Sequence, residues 1–317
     1  MVEYSEKLNT SALRAMAPRG LRALLAVAET GSYAAAADRL GLTAPALHAQ
    51  IKTLEGLLGA DLLRRVEGGG SAPTEIGAHV CDTARRIDEQ LLRMAEDVAA
   101  LRSGRAGRVV LGTVSTAKYF GPLLVRMLQQ ALPELELRLR VGNRQEVIDG
   151  IASGRLDLAI MGRPPRAPAV EAAVIGPHPH VIVAPPGHRL SGQPAIPVPE
   201  LYAETFIQRE DGSGTRILAT RWLDRVGEGY PFTQIEMDSN ETIKQAVMAG
   251  MGIALLSQHT VTQELADGRL VTLPLPGLPM ERHWFLVRAA DRPPNPARAR
   301  VWDQIVAMQG SFLPSPP

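Results

Sequence analysis

The 317-residue chain has one cysteine, Cys81, only four lysines against thirty arginines, and 4% aromatic residues. A single thiol excludes a disulfide framework within the chain and fits a reducing compartment. No run of about 18 apolar residues is present, which excludes a membrane-spanning helix. The first twenty residues, MVEYSEKLNTSALRAMAPRG, carry acids and lack the apolar core of a secretory signal. A soluble cytoplasmic protein is expected. An excess of one charge is missing too: 34 basic side chains face 33 acidic ones, and residues 1–105 hold 13 of each. Nucleic-acid binders often show a basic domain. Here such a role has to rest on motif geometry, and the preference for arginine reads as compositional bias. What remains is an ordinary globular mixture, 45% hydrophobic and 21% charged, long enough for two or three folding units.

Four regions separate along the chain, after a weakly patterned arm over residues 1–18. Residues 19–73 are rich in alanine and leucine with short helical patterns. Residues 74–103 form one long helical pattern with Thr74 as N-cap. There Val80, Ala84, Ile87, Leu91, Met94, Val98 and Leu101 recur at alternating steps of four and three. That is a narrow heptad stripe with polar flanks. Such a helix either lies on its own domain or pairs with a second copy, and the wet flanks favour pairing. Gly104 and Gly107 end it. Residues 107–290 alternate strand-like and helix-like runs, and residues 295–310 read as a last helix, followed by the proline-rich tail Ser311 to Pro317.

The run VVLGTV, GPLLVRMLQQ, LELRLRV, QEVIDGIASG, LDLAIMG reads as βαβαβ with parallel strands. A second series follows: TFIQRE, a helix from about Ser213 to Val226, TQIEM, a helix from about Asn240, and GIALLS. Residues 146–162 align without gaps to 241–257, pairing Ile148 with Ile243 and Ala159 with Ala254. Two like α/β halves imply two lobes and a cleft, with ligands beyond the carboxyl ends of the strands. The proline-dense stretch 177–200 is expected to cross between lobes. The return crossing is expected near 275–285, before the strand HWFLV.

Residues 32–59, SYAAAADRLGLTAPALHAQIKTLEGLLG, describe a helix-turn-helix. Ser32 caps one helix, Gly41 makes the turn, and Thr43 caps the next, with Pro45 in its first turn. Leu40, Leu42, Leu47, Ile51 and Leu54 supply the core. The second helix then presents Ala44, Pro45, His48, Ala49 and Lys52 to a major groove. Leu62, Leu63 and residues 67–70 read as a strand and wing, with Arg64 and Arg65 beside phosphates. A plain three-helix packing unit has the same pattern. The adjoining seam favours the DNA reading, because readers of two half-sites need a dimer joint.

The second half carries the marks of an anion site. Ser115 and Thr116 lie between a buried strand and a helix, next to Lys118. Gly212, Ser213, Gly214, Thr215 and Arg216 repeat that arrangement in the other half. Free N–H groups at helix starts favour anions. Arg163 follows one strand, and Asn143 and Asn240 follow strands at equivalent places. Lys118, Arg163 and Arg216 are expected to clamp phosphate groups; capping and surface solvation are the alternative for each residue singly. GSGTR is not a Walker loop. His178 and His180 lack the further ligands of a metal site, and Cys81 reads as packing. No catalytic residues, cofactor or metal are expected, because no nucleophile–base spacing is found.

The stretch AETGSYAAAADRLGLTAPALHAQIKTLEGLLGADLLRR, with APTEIG after the wing, resembles the LysR-type transcriptional regulators. The resemblance covers nearly the whole chain from about residue 19. It implies an α+β multidomain fold. A winged helix-turn-helix (19–73) and a linker and dimerisation helix (74–103) precede a two-lobed α/β effector domain (107–310), like type II periplasmic binding proteins. Lobe I is expected over about 107–180 and 285–310, and lobe II over about 181–280. Three positions depart from the family: His48 and Ala49 stand where Ser and Arg are usual, and Leu63 where Phe is favoured. STAKYF, LRVGNRQEVI, LDLAIMGRPP, HPHVIVAPPGH, REDGSGTR and DSNETIKQAVMAGMGIALLS are most similar to regulators of Calvin-cycle (cbb, RuBisCO) operons. That likeness implies a non-enzymatic activator of carbon-fixation genes that partners double-stranded DNA and RNA polymerase. It implies a homodimer through the linker helix, assembled as a tetramer, and a small anionic effector such as a sugar phosphate, phosphoenolpyruvate or NADPH. The alternatives are a LysR-type regulator of another operon with a different anionic effector, a cytoplasmic solute-binding protein, or an enzyme on the two-lobed fold.

Overall fold

The structure is a computed structural model that describes residues 15–66, 69–102 and 107–315. Most of the expected N-terminal arm and Gly104 lie outside the described residues. The chain divides into two compact units, Met1–Glu96 and Asp97–Pro317. No described helix is long and apolar enough to cross a membrane.

The first unit packs α1 (Pro18–Thr30), α2 (Tyr33–Leu40) and α3 (Ala44–Leu58) around a small apolar core. Pro18 opens α1, where its missing N–H costs nothing. Ala36 and Ala37 are buried and have no bulk, so α2 crosses its neighbours closely. Leu47, Ile51 and Leu54 fill the core as expected, and Leu42 packs against it. Leu40 does not: it is exposed, because α2 ends there and the turn at Gly41 carries Leu42 inward instead. The antiparallel hairpin of β1 (Leu63–Arg65) and β2 (Ser71–Pro73) forms the wing. Glu67 and Gly68 of the expected wing tip lie outside the described residues.

Helix α4 (Glu75–Arg102) begins as expected, with Thr74 Oγ1 accepting the Gly77 N–H at 2.9 Å. Its stripe divides into two parts. Cys81 and Ala84 are buried with Leu21, Leu54 and Leu62 of the same unit, and Val80 packs against them. Further along, Ile87, Met94 and Val98 of the stripe are exposed and Leu91 is half-buried; Leu92, beside the stripe, is exposed. The side chain of Leu101 lies outside the description.

In the second unit a five-stranded sheet, ordered β4-β3-β5-β12-β6, forms the centre of one lobe. It contains β3 (Arg108–Val114), β4 (Glu136–Gly142), β5 (Leu158–Met161), β6 (Val170–Pro177) and β12 (His283–Ala289). β3, β4 and β5 are parallel, and β12 runs antiparallel to β5 and β6. All four residues of β5 are buried, as a continuous apolar run between two covered faces should be. Helix α5 (Gly121–Ala131) and the C-terminal α10 (Pro296–Ala307) cover one face; α6 (Arg144–Ser153) covers the other. The edge strand β6 is not legible in the sequence, because VEAAVIGP is half-exposed and ends at a proline.

The other lobe contains β7 (His180–Ala184), β8 (Thr205–Arg209), α7 (Gly214–Gly227), β9 (Thr233–Met237), α8 (Asn240–Met248), β10 (Ala254–Ser257), α9 (Gln258–Ala266) and β11 (Val271–Thr272). β8 and β9 are parallel, whereas β7 lies antiparallel between β10 and β11. The internal echo corresponds to α6–β5 in one lobe and α8–β10 in the other. Both crossings are short: His178 N–H donates to the Arg282 carbonyl at 2.7 Å, and His180 and Met280 exchange backbone bonds at 3.0 and 2.8 Å.

At the wing's base, a Cβ on Gly77 would stand 1.9 Å from the Leu62 carbonyl oxygen. Gly77→Ala is therefore expected to destabilise the first unit by roughly 1–3 kcal/mol, the usual cost of overpacking. Urea unfolding checks this, and wild-type stability would contradict so close a junction.

Candidate functional site

The first unit carries the residues expected to read DNA. Ser32 and Thr43 cap α2 and α3, their hydroxyls accepting the N–H groups of Ala35 and Ala46 at 3.4 Å. Gly41 takes φ +64°, a left-handed turn open to glycine. The start of α3 is bare: Ala44, Pro45, His48 and Ala49 are all exposed. The Tyr33 ring stands 5.4 Å from the His48 ring. Arg64 and Arg65 on β1 are exposed and, among the described residues, form no ion pair.

Lys52 differs from the expectation of a free phosphate contact. Its ammonium lies 2.7 Å from Glu55 and 3.7 Å from Asp61. Glu55 is buried, so this lysine compensates a carboxylate of its own helix.

In the second unit the cleft between the lobes encloses a cavity of about 270 Å³. Of the residues singled out in the sequence, Ser115, Thr116, Asn143 and Arg163 line it from one lobe, and Ser213, Gly214 and Thr215 from the other. Ser115 opens a 3-10 turn (Ser115–Tyr119) whose start has no side-chain cap, and Ser213 leaves the start of α7 uncapped too. Two sets of backbone N–H groups are thus available to an anion. Asn143 caps α6 through a capping box with Glu146, so its carbonyl oxygen is already used.

Four expected contacts lie off the cavity wall. Lys118 pairs with Glu241 across the lobes, and Tyr119 donates to the same carboxylate. Arg216 turns onto its own lobe, where it meets Asp211, Glu236 and the Arg209 carbonyl. Asn240 is buried, with its oxygen accepting from Arg209 at 2.8 Å. Gly212 shapes the turn before α7 at φ +84°. Lys118 and Arg216 carry charges that neighbouring carboxylates already neutralise, which is why neither points into the cleft.

The charges in the cleft are others: Arg144, Arg166, Arg221 and Arg282, beside Arg163. Among the described residues none of these five forms an ion pair. Arg144 donates to the Arg163 carbonyl at 2.6 Å. Burial, and then the charge of Arg163, pull the Arg144 guanidinium below its usual range. One signal could have found Arg144, which directly follows the cap Asn143. Arg221 and Arg282 are remote in sequence and meet only through the lobe crossing. A neighbouring cavity of about 610 Å³ shares Arg163, Arg221 and Arg282 and extends toward Arg225 and His283.

Behind the cavity a stack of rings fills the crossing. His178 lies 3.7 Å from Trp284, nearly parallel, and 4.3 Å from His180. The Trp284 indole N–H donates to His259 Nδ1 at 3.1 Å. His178 and His180 line the cavity, and no described cluster of acids, histidines and cysteine has the makings of a metal site. Burial pushes His178 well below the ordinary histidine range, and His180 and His259 to about 4. The unfolded chain therefore binds more protons than the folded one between about pH 6.5 and 4. Stability is full above that window and falls as pH drops through it, by roughly 1.4 kcal/mol per pH unit for each histidine. Urea unfolding at pH 7, 6 and 5 checks the slope; a flat profile would contradict neutral buried rings.

Comparison with known proteins agrees with this geometry. Residues 18–78 match the family described as bacterial regulatory helix-turn-helix protein, lysR family, and residues 102–309 match the LysR substrate binding domain. The HTH-type transcriptional regulator CbbR of Cereibacter sphaeroides is 53% identical over 306 residues, covering 96% of this chain and 99% of that one. The RuBisCO operon transcriptional regulator of Allochromatium vinosum is 38% identical, covering 88% of this chain and 92% of that one. Among solved structures, the Synechocystis PCC6803 CcmR regulatory domain in complex with 2-PG is 33% identical, with a TM-score of 0.60. It covers 64% of this chain and 97% of that one. These relatives are regulators rather than enzymes, and the chain belongs to the LysR-type transcriptional regulators.

Proposed function

We propose that the protein activates a RuBisCO (cbb) operon in response to a small phosphorylated anion held between the effector lobes. The observation that carries this reading is a set of five arginines, without ion pairs among the described residues, facing two uncapped helix starts across one cleft. Backbone N–H groups take one anionic group, and Arg144, Arg163, Arg166, Arg221 and Arg282 supply charge-assisted contacts. The names of the relatives supply the operon, and the 2-PG in the CcmR structure supports the ligand class. A sugar phosphate, phosphoenolpyruvate or NADPH belongs to that class.

The DNA face works as a pair. Ile87, Met94 and Val98 of α4 form an exposed apolar seam that a second α4 covers, giving the homodimer, and two dimers form the tetramer. Ser32, Thr43, Ala44, Pro45, His48, Arg64 and Arg65 then address duplex DNA, in the cytoplasm where that DNA lies, and RNA polymerase reads the result.

The experiment combines a gel shift on the protein's own upstream DNA with calorimetric titration of phosphoenolpyruvate. Arg221→Met and Arg282→Met are expected to weaken phosphoenolpyruvate binding about tenfold each, equivalent to about 1.4 kcal/mol per charge-assisted contact. Arg216→Met is expected to change it less than about twofold, because that charge is spent on Asp211 and Glu236. Equal losses in all three variants would overturn the cleft assignment.

A further inference from the structure

Glu55 lies on the recognition helix, yet it is buried and holds the wing. Its Oε1 accepts the N–H of Leu62 at 2.8 Å and of Leu63 at 3.4 Å, and its Oε2 faces the Lys52 ammonium at 2.7 Å. Leu62 is held from its other side as well. Its carbonyl accepts the Thr74 N–H at 2.9 Å, and Thr74 Oγ1 donates to the Asp61 carbonyl at 2.9 Å. The Leu62 side chain is fully buried with Leu54 of α3 and with Cys81 and Ala84 of α4. One residue at the wing's base is thus tied to the recognition helix through its amide and to the linker helix through its carbonyl.

The wing has two other ties: the Ser71 N–H of β2 donates to the Gly31 carbonyl at 2.8 Å, and Leu63 packs against the apolar core. Its strands are three residues each, and an isolated two-stranded hairpin is marginal in water. Arg64 and Arg65 follow the anchored pair directly. Glu55 is the side chain that bonds the recognition helix to the backbone of β1, so removing the carboxylate leaves the buried Leu62 amide unsatisfied and loosens the strand that carries both arginines, while β2 stays bonded to Gly31.

We infer that Glu55 is a positioning residue for DNA binding: it fixes Arg64 and Arg65 relative to the recognition helix, so that wing and helix engage one duplex together. It touches no DNA itself. Burial works to raise its carboxyl, but the bonds from Lys52, Leu62 and Leu63 outweigh this and hold it below the usual carboxylate range. The anchor is therefore intact at neutral pH and lost only as pH falls through that lowered value.

The test is the salt dependence of binding by the full chain to its own upstream duplex. The slope of log affinity against log salt falls by about 0.9 for each phosphate that the protein no longer neutralises. Glu55→Ala is expected to reduce the slope as much as the double variant Arg64→Ala/Arg65→Ala does. Adding it to that double variant is expected to cost no further slope, since the same phosphates are already free. Glu55→Gln keeps an acceptor for the two amides and is expected to retain a near wild-type slope, an outcome that a general loss of stability would not produce. A wild-type slope for Glu55→Ala overturns the inference, and so does a reduction that adds in full to that of the arginine pair. Should Glu55→Ala not fold, hydrogen exchange in the wild-type chain decides: the Leu62 amide is expected to exchange at least about a hundredfold slower than a free amide, and free-amide exchange overturns the inference.

Discussion

Uncompensated positive charge in the effector cleft is the constraint that organises the second unit. Five guanidinium groups face one cavity without a described carboxylate, in a chain whose overall charge is nearly balanced. Most other arginines and lysines near the crossing are spent: Arg209 on Glu210, Lys118 on Glu241, Arg216 on Asp211 and Glu236, Lys244 on Glu264. Keeping five like charges together costs free energy, and burial makes the cost larger at Arg144. On the proposed reading a bound anion would offset that cost. Net charge could not reveal this, because it sums paired and unpaired groups alike.

The same distinction explains what was legible in the sequence. Element order could be read almost throughout, since periodicity and capping are local: Ser32, Gly41, Thr43 and Thr74 do what their residue types dictate. The strand-to-helix turns at Ser115 and Ser213 were legible for the same reason. The state of a charged side chain is not local. Lys118 and Arg216 stand beside the right turns, yet Glu241 lies 123 residues from Lys118 in the chain and takes its charge. Arg282 enters the cleft only because the return crossing is bonded to His178 and His180. On the DNA side, Lys52 sits at the right spacing for a groove, but Glu55, one turn on, claims it.

Both units use one device, a buried ionisable group satisfied by backbone. In the first, Glu55 closes the gap between recognition helix and wing. In the second, Asp157 accepts the Val110 N–H at 2.8 Å and ties the entry of β5 to β3. Such groups cost desolvation and repay it only when every lone pair is used. They specify geometry more than they add stability, which suits elements that must present side chains at fixed separations.

The lobes are joined by polar side-chain contacts, one of which reaches the cavity wall. Arg209, buried in one lobe, donates to the Ser115 hydroxyl of the other at 3.2 Å. Lys118 and Tyr119 bind Glu241 across the same boundary, and the Lys244 ammonium lies 4.8 Å from the centre of the Tyr119 ring. Ser115 belongs both to this set and to the cavity wall. Under the proposed function, an anion bound at the Ser115 hydroxyl would compete with Arg209 for it. A ligand shifts a conformational equilibrium only by its difference in affinity for the two states. On the proposed reading Ser115 would supply that difference, because its hydroxyl is held by Arg209 here and also lies on the cavity wall.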